Sequence, residues 1–138
     1  MNITWKAEYC TGIELIDTQH QHLVFLLNNY FADQPRLDIS SATSWQMLQE
    51  FNGYADDHFA TEERFAHQAG IEQSGVWILH KGSHDYYINR LREFRQELET
   101  ESPRAVEKLM AFLSYWWVAH ITGEDQELAN LLTSYLVT

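Results

Sequence analysis

Seven histidines stand in this 138-residue chain, and helical phase sorts them into two kinds. His20 continues the face of Leu23, Val24 and Leu27. His58 and Glu62, one turn apart, interrupt a stripe of Leu48, Phe51, Ala55 and Phe65. The segment HKGSH puts His80 and His84 on a stripe with Trp77, Tyr87, Leu91, Phe94 and Leu98. His120 extends the series Val106, Leu109, Leu113 and Trp116. Each of these polar residues takes a place that packing assigns to Leu or Phe. At ~100° per residue, His22 lies about 200° around its helix from His20. His67 is likewise out of phase, so five histidines face inward and two do not.

Burying an imidazole without a partner costs roughly 1–3 kcal/mol. Five such costs together rival the ~5–15 kcal/mol stability of a domain, and an inward Glu62 adds to them. A metal cation removes both penalties, because it takes imidazole lone pairs and neutralises the carboxylate. Five imidazoles and a carboxylate exceed the usual shell of one first-row ion, whereas two adjacent ions can share a bridging carboxylate. A second bridge is expected from HITGED, residues 120–125. Regular helical phase at i,i+4 favours Glu124; a π-bulge or a helix end near Gly123 brings position i+5 inward and favours Asp125. Periodicity leaves that choice open. HKGSH lacks the general-base glutamate of H-E-x-x-H, which disfavours a zinc protease. The imidazole-rich set also lacks the paired Glu-x-x-His pattern of carboxylate-rich di-iron bundles, which favours binding over oxygen activation.

Four rods are needed to bring these residues together, and the chain supplies them. The first apolar stripe ends before Pro35, and Asp38 or Ser40 is positioned to cap the second helix. The third runs from about Trp77 to Leu98. Ser102 followed by Pro103 reads as an N-cap and first-turn proline opening the fourth. After Gly123 comes a shorter helix with Leu128, Leu131, Leu132 and Tyr135. The short breaks at Gln34–Pro35, Gly70–Gly75 and Glu101–Pro103 suit antiparallel neighbours. The expected fold is all-α: an up-down-up-down antiparallel four-helix bundle, with an N-terminal arm anchored by Trp5 and a short C-terminal helix.

Composition agrees. With 45% apolar residues and few Gly or Pro, residues 1–138 read as one globular domain. A net charge of −11 without Lys/Arg clusters argues against nucleic acid or anionic lipid as a partner. The stretch LVFLLNNYF is too short to span a bilayer, and the first residues lack the apolar core of a signal peptide. The single cysteine, Cys10, forms no internal disulfide, so a cytoplasmic location is expected.

In GIELIDTQH (Gly12 to His20), HFATEE (His58 to Glu63), HKGSH and HITGED, taken in this order and spacing, the chain resembles hemerythrins, and specifically the single-domain bacteriohemerythrin type. The resemblance runs from Trp5 to the last helix. It implies Asp125 rather than Glu124 as the second bridge. It also implies two Fe ions (Fe2+/Fe3+), one held by His80, His84 and His120 and the other by His20 and His58. Glu62 and Asp125 would bridge them together with a solvent-derived oxo or hydroxo group. One iron is then six-coordinate and the other has a vacancy where O2 binds, or azide and similar small anions in the diferric form. No enzymatic activity is implied.

Two positions depart from the family's pattern. Trp117 stands where many members have Leu, close to where O2 should sit, and is a candidate lining residue of the O2 pocket. Leu128 replaces a tyrosine three residues after the bridging Asp, a change that removes a hydroxyl near the bridge. The resemblance implies an oxygen carrier or buffer. Its alternative is an O2- or redox-sensing input domain for a fused or partner signalling output, such as a diguanylate cyclase or a chemotaxis receptor. The apolar ending LANLLTSYLVT, without a charged tail, is the one feature of the chain that suits an excised sensor module. Gly82, inside a helix, costs roughly 1 kcal/mol relative to Ala; either a neighbour approaches between His80 and His84, or the glycine is simply tolerated there.

Overall fold

The structure, a computed structural model, describes residues 3–31, 41–102 and 104–136. Its main elements are α1 (Glu14–Phe31), α2 (Ser41–Ala69), α3 (Gly75–Glu99), α4 (Ala105–Ala119) and α5 (Asp125–Leu136). A turn of π-helix, His120–Glu124, joins α4 to α5. No strand occurs among the described residues. α1 packs on α2, α2 on α3 and α3 on α4, while α5 lies against α2 and α3. This is the four-helix bundle that the apolar stripes require. Gln34, Pro35, Asp38, Ser40 and Pro103 lie outside the described residues.

Local chemistry sets the helix ends. Ser74 caps α3 by accepting a hydrogen bond from Trp77 N at 3.2 Å, so that helix opens at Gly75, two residues earlier than its stripe suggests. α2 closes on Gly70 with φ +69°: Gly70 N–H donates to His67 O and Ile71 N–H to Ala66 O, both at 3.1 Å. That is the paired closure in which a left-handed residue turns the chain and satisfies orphan carbonyls. Ile71 then packs beside Ala66 in a small apolar cluster.

The same closure corrects the start of α4. Glu101 takes the left-handed conformation with φ 54°, Glu101 N–H donates to Leu98 O at 3.2 Å, and Ser102 N–H to Glu97 O at 2.9 Å. Ser102 therefore belongs to the exit of α3 rather than capping α4, and its hydroxyl meets Thr100 Oγ1 at 3.0 Å. α4 begins at Ala105 behind Arg104, which is also left-handed (φ 64°) and offers no side-chain cap.

The N-terminal arm is pinned at two places. Asn28 holds Ile3 through a pair of bonds, Ile3 N–H to Oδ1 at 2.7 Å and Nδ2 to Ile3 O at 2.8 Å, and Trp5 packs against the core. Asp17 accepts from Thr11 N and Oγ1 and from Gly12 N, which turns the chain into α1 at Gly12, φ +85°. Gly82 is exposed, and a Cβ there would meet nothing within 4 Å. No close approach explains that glycine.

Two apolar clusters fill the bundle. The larger includes Leu27, Phe51, Tyr87, Leu109, Leu113 and Trp117; the smaller joins Ala66, Ile71, Trp77, Leu128 and Leu132. Along α2, α3 and the α4–α5 rod, one layer of polar residues separates them. Among the described residues, no helix is long and apolar enough to cross a membrane.

Candidate metal centre

That layer consists of His20, His58, Glu62, His80, His84, His120 and Asp125, all between 0% and 3% exposed. His22 is exposed and stacks on Tyr54 and Phe25. His67 lies on the surface, paired with Glu72 at 3.0 Å. The division by helical phase is therefore also a division by burial.

Glu62 and Asp125 lie between imidazoles from several helices. Glu62 Oε1 is 3.2 Å from His58 Nε2 and from His84 Nε2, and 3.6 Å from His120 Nε2; Oε2 is 3.2 Å from His80 Nε2. Asp125 Oδ2 is 2.6 Å from His20 Nε2 and 3.1 Å from His58 Nε2. Its Oδ1 is 2.9 Å from His120 Nε2 and 3.3 Å from His80 Nε2. All five rings present Nε2 to the two carboxylates.

The π-turn brings Asp125 there. Asp125 N–H donates to His120 O, the i→i+5 pattern that adds a residue to the turn. Widening the turn rotates position i+5 onto the His120 face. Glu124, the i+4 alternative, instead accepts from the opposite ring nitrogen, His120 Nδ1, at 3.0 Å. Both acidic residues thus meet His120, one on each side of its ring.

The contacts fit a cation better than a set of hydrogen bonds. Both oxygens of Glu62, Nε2 of His80, His84 and His120, and Asp125 Oδ1 are buried without a hydrogen-bond partner. They lie about as close as hydrogen-bonding atoms, yet none is oriented to make a hydrogen bond with its neighbour. Donor atoms bound ~2.0–2.2 Å from an ion stand roughly 3 Å from one another, which is the spacing found here. Two overlapping groups meet the requirement for a metal: Glu62, His80, His84 and His120, and His58, Glu62, His120 and Asp125, each with its ligand atoms within 4.8 Å of one another. Sharing Glu62 and His120 makes the two groups neighbours.

Without a cation, the cluster balances its charge with protons. Burial pulls His80 down, but Asp125 and Glu62 beside it outweigh that and hold it at about 9. Burial also opposes a proton on His120, yet Asp125 raises that imidazole well above its ordinary range. Burial pushes Glu62 and Asp125 up and the Asp125 charge raises Glu62 further, but the surrounding imidazoles pull both below ordinary carboxylates. His84 is lowered by burial.

Several supporting residues carry no apolar-phase signal. Behind His58, Nδ1 meets Gln19 Oε1 at 2.8 Å, and Gln19 Nε2 donates to Thr61 Oγ1 at 2.8 Å. Tyr54 donates its hydroxyl to Gln19 O at 2.8 Å. Behind His120, Glu124 Oε1 also accepts from Ser83 Oγ at 2.8 Å, which ties the π-turn to the serine inside HKGSH. Aromatic rings make the walls. Phe59 stacks on His84 at 3.8 Å between centroids and Trp116 on His120 at 4.5 Å. Trp117 is fully buried, 6.0 Å from His58 and 5.9 Å from His120, with Nε1 donating to Tyr87 Oη at 2.9 Å. Leu128 is buried in the smaller cluster, on the other side of the polar layer.

Known proteins share this arrangement of sequence. The model of the hemerythrin HHE cation binding domain matches residues 11–132. The chain is 28% identical over 134 residues to a bacteriohemerythrin of Stenotrophomonas maltophilia (strain R551-3), a match spanning 97% of this chain and 84% of that protein. A bacteriohemerythrin of Clostridium acetobutylicum is 26% identical over 134 residues, covering 89% of this chain and 95% of its own. A hemerythrin-like protein of Naegleria gruberi is 25% identical over 128 residues, covering 93% and 92%. The matched span holds every side chain of the polar layer, and the chain belongs to the hemerythrin HHE cation-binding domain family.

Proposed function

We propose that the seven buried side chains hold a pair of non-haem irons and that the protein binds O2 reversibly there, as an oxygen carrier or buffer. His80, His84 and His120 would hold one iron and His20 and His58 the other, with Glu62 and Asp125 as the carboxylates available to both. The observation that carries the reading is the convergence of five Nε2 atoms on Glu62 and Asp125, with those of His80, His84 and His120 and both Glu62 oxygens lacking a hydrogen-bond partner. When bound, such a pair supplies one open coordination position and the two electrons that O2 takes up.

The chain's own residues do the rest. Gln19 and Glu124 hold the Nδ1 protons of His58 and His120, which leaves both Nε2 lone pairs facing inward. Phe59, Trp116 and Trp117 pack against the imidazoles and keep water out of the layer. Trp117, beside both His58 and His120, lines the O2 pocket. Imidazole donors suit ferrous iron, and the role read for the site is O2 binding.

A second reading, an O2- or redox-sensing input, rests on a separate observation: Asp125 is both a member of the layer and the first residue of α5. Movement of that carboxylate would pass directly into the C-terminal helix and from there to a signalling output. The lifetime of the oxygenated protein separates the two. A carrier releases O2 unchanged when argon is passed over the sample and can be reloaded repeatedly; rapid one-way conversion to the diferric state favours the sensor.

A further inference from the structure

His58 and His120 are both backed by acceptors, and the acceptors differ in charge. Behind His58 stands an amide. Gln19 Nε2 is committed to Thr61 Oγ1 at 2.8 Å, and Thr61 Oγ1 in turn donates to Asp57 O at 3.0 Å. That chain fixes the amide so that its oxygen faces His58 Nδ1, 2.8 Å away. Behind His120 stands a carboxylate: Glu124 Oε1 takes His120 Nδ1–H at 3.0 Å and Ser83 Oγ–H at 2.8 Å. His20 and His84 have buried Nδ1 atoms with no hydrogen-bond partner. A neutral acceptor polarises the imidazole only weakly. An anionic one draws the Nδ1 proton outward and makes Nε2 a stronger electron donor.

We infer that Glu124 and Gln19 are positioning residues that make the two halves of the metal centre electronically unequal, with the stronger donor on the His120 side and the weaker on the His58 side. The inference rests on the proposed function and deepens it. Glu124 gives the three-histidine side a preference for the higher ionic charge. Gln19 keeps the two-histidine side, where O2 is to bind and leave, closer to the ferrous form. Ser83 holds the Glu124 carboxylate in place from α3, so a residue between the two histidines of HKGSH serves a third histidine at the start of the π-turn.

The test is a pair of charge-swapping variants that preserve shape, Glu124→Gln and Gln19→Glu. The midpoint potential of the iron-loaded protein is expected to rise in Glu124→Gln and to fall in Gln19→Glu. In the metal-free protein, an anionic acceptor places the His120 Nδ1–H proton resonance downfield of that of His58, and Glu124→Gln brings the two together. Titration with Co2+ alone is expected to show affinity weakened about tenfold in Glu124→Gln. A merely structural role for Glu124 would leave potential, resonance and Co2+ affinity of the isosteric variant at wild-type values, and that result overturns the inference. If the wild-type protein holds no iron pair, the proposed function fails, while the Co2+ and resonance comparisons still decide the donor asymmetry.

Discussion

His120 and Asp125 stand five residues apart and face each other at 2.9 Å, Nε2 to Oδ1, across a single turn of π-helix. In a regular helix that place would belong to Glu124. The wider turn gives each carboxylate a different nitrogen of one ring, so a local departure from α-helical geometry decides which acid enters the core. Asp125→Ala removes the group that faces His20, His58, His80 and His120 together. Breaking a buried ionic contact of this kind costs about 3–5 kcal/mol. Urea unfolding of the metal-free variant should show that loss, and the variant should retain little iron. Wild-type stability in the variant would mean that the carboxylate is not paired.

Trp117 and Tyr87 form a buried contact beside the centre, joined from Nε1 to the phenol oxygen at 2.9 Å. Trp117→Leu leaves a void beside His58 and strands the Tyr87 hydroxyl, a loss of about 2–4 kcal/mol from cavity and hydrogen bond together. Stopped-flow mixing of the diferric protein with azide should give faster association in this variant. Equal rates would show that the ring packs between helices without lining the pocket.

Metal uptake should release protons. In the metal-free protein the carboxylates beside them hold His80 up at about 9 and raise His120, so a metal that takes their Nε2 lone pairs must displace protons. Calorimetric titration with a divalent ion in buffers of different ionisation enthalpy should read this release, and affinity should increase with pH up to about 9. The sign for stability is opposite. A raised imidazole stabilises the metal-free fold fully below its ordinary value of 6.5 and loses that contribution as pH climbs through 9. The lowered carboxylates Glu62 and Asp125 stabilise it above their ordinary values of 4.5 and 3.8 and lose that contribution in acid. The thermal midpoint of the metal-free protein should therefore be highest in mildly acidic solution and should fall toward pH 9.

Gly82 offers a test away from the chemistry. It lies exposed in the middle of α3 with open space where a Cβ would stand. Gly82→Ala should stabilise the protein by roughly 0.5–1 kcal/mol, the helix-propensity difference, with iron content unchanged. A loss of iron would reveal a role for the glycine that its surroundings do not show.

The bundle and the inward residues were legible because both depend on one periodicity. A histidine every three or four residues among Leu and Phe has no place except the core, as His58, His84 and His120 illustrate. The choice between Glu124 and Asp125 was not legible from phase, since a π-turn breaks the rule on which phase rests. Ser102 misled for another reason: the serine's backbone was already committed to closing α3 through Glu97, a contact that depends on Glu101 turning left-handed without glycine's usual signal. Gln19 gave no sign either. It sits beside His20 off the apolar stripe, and its role emerges only when α2 brings His58 within 2.8 Å. Ser74, by contrast, stood immediately before a helical run with the chemistry of a cap and could have been read as one.

The most direct measurement is the iron content of purified protein taken together with the visible spectrum of its azide adduct. Two irons per chain and the charge-transfer bands of an oxo-bridged ferric pair are the expected result. One tightly held ion with no azide band, or zinc in place of iron, would overturn the reading of a two-iron centre with an open position.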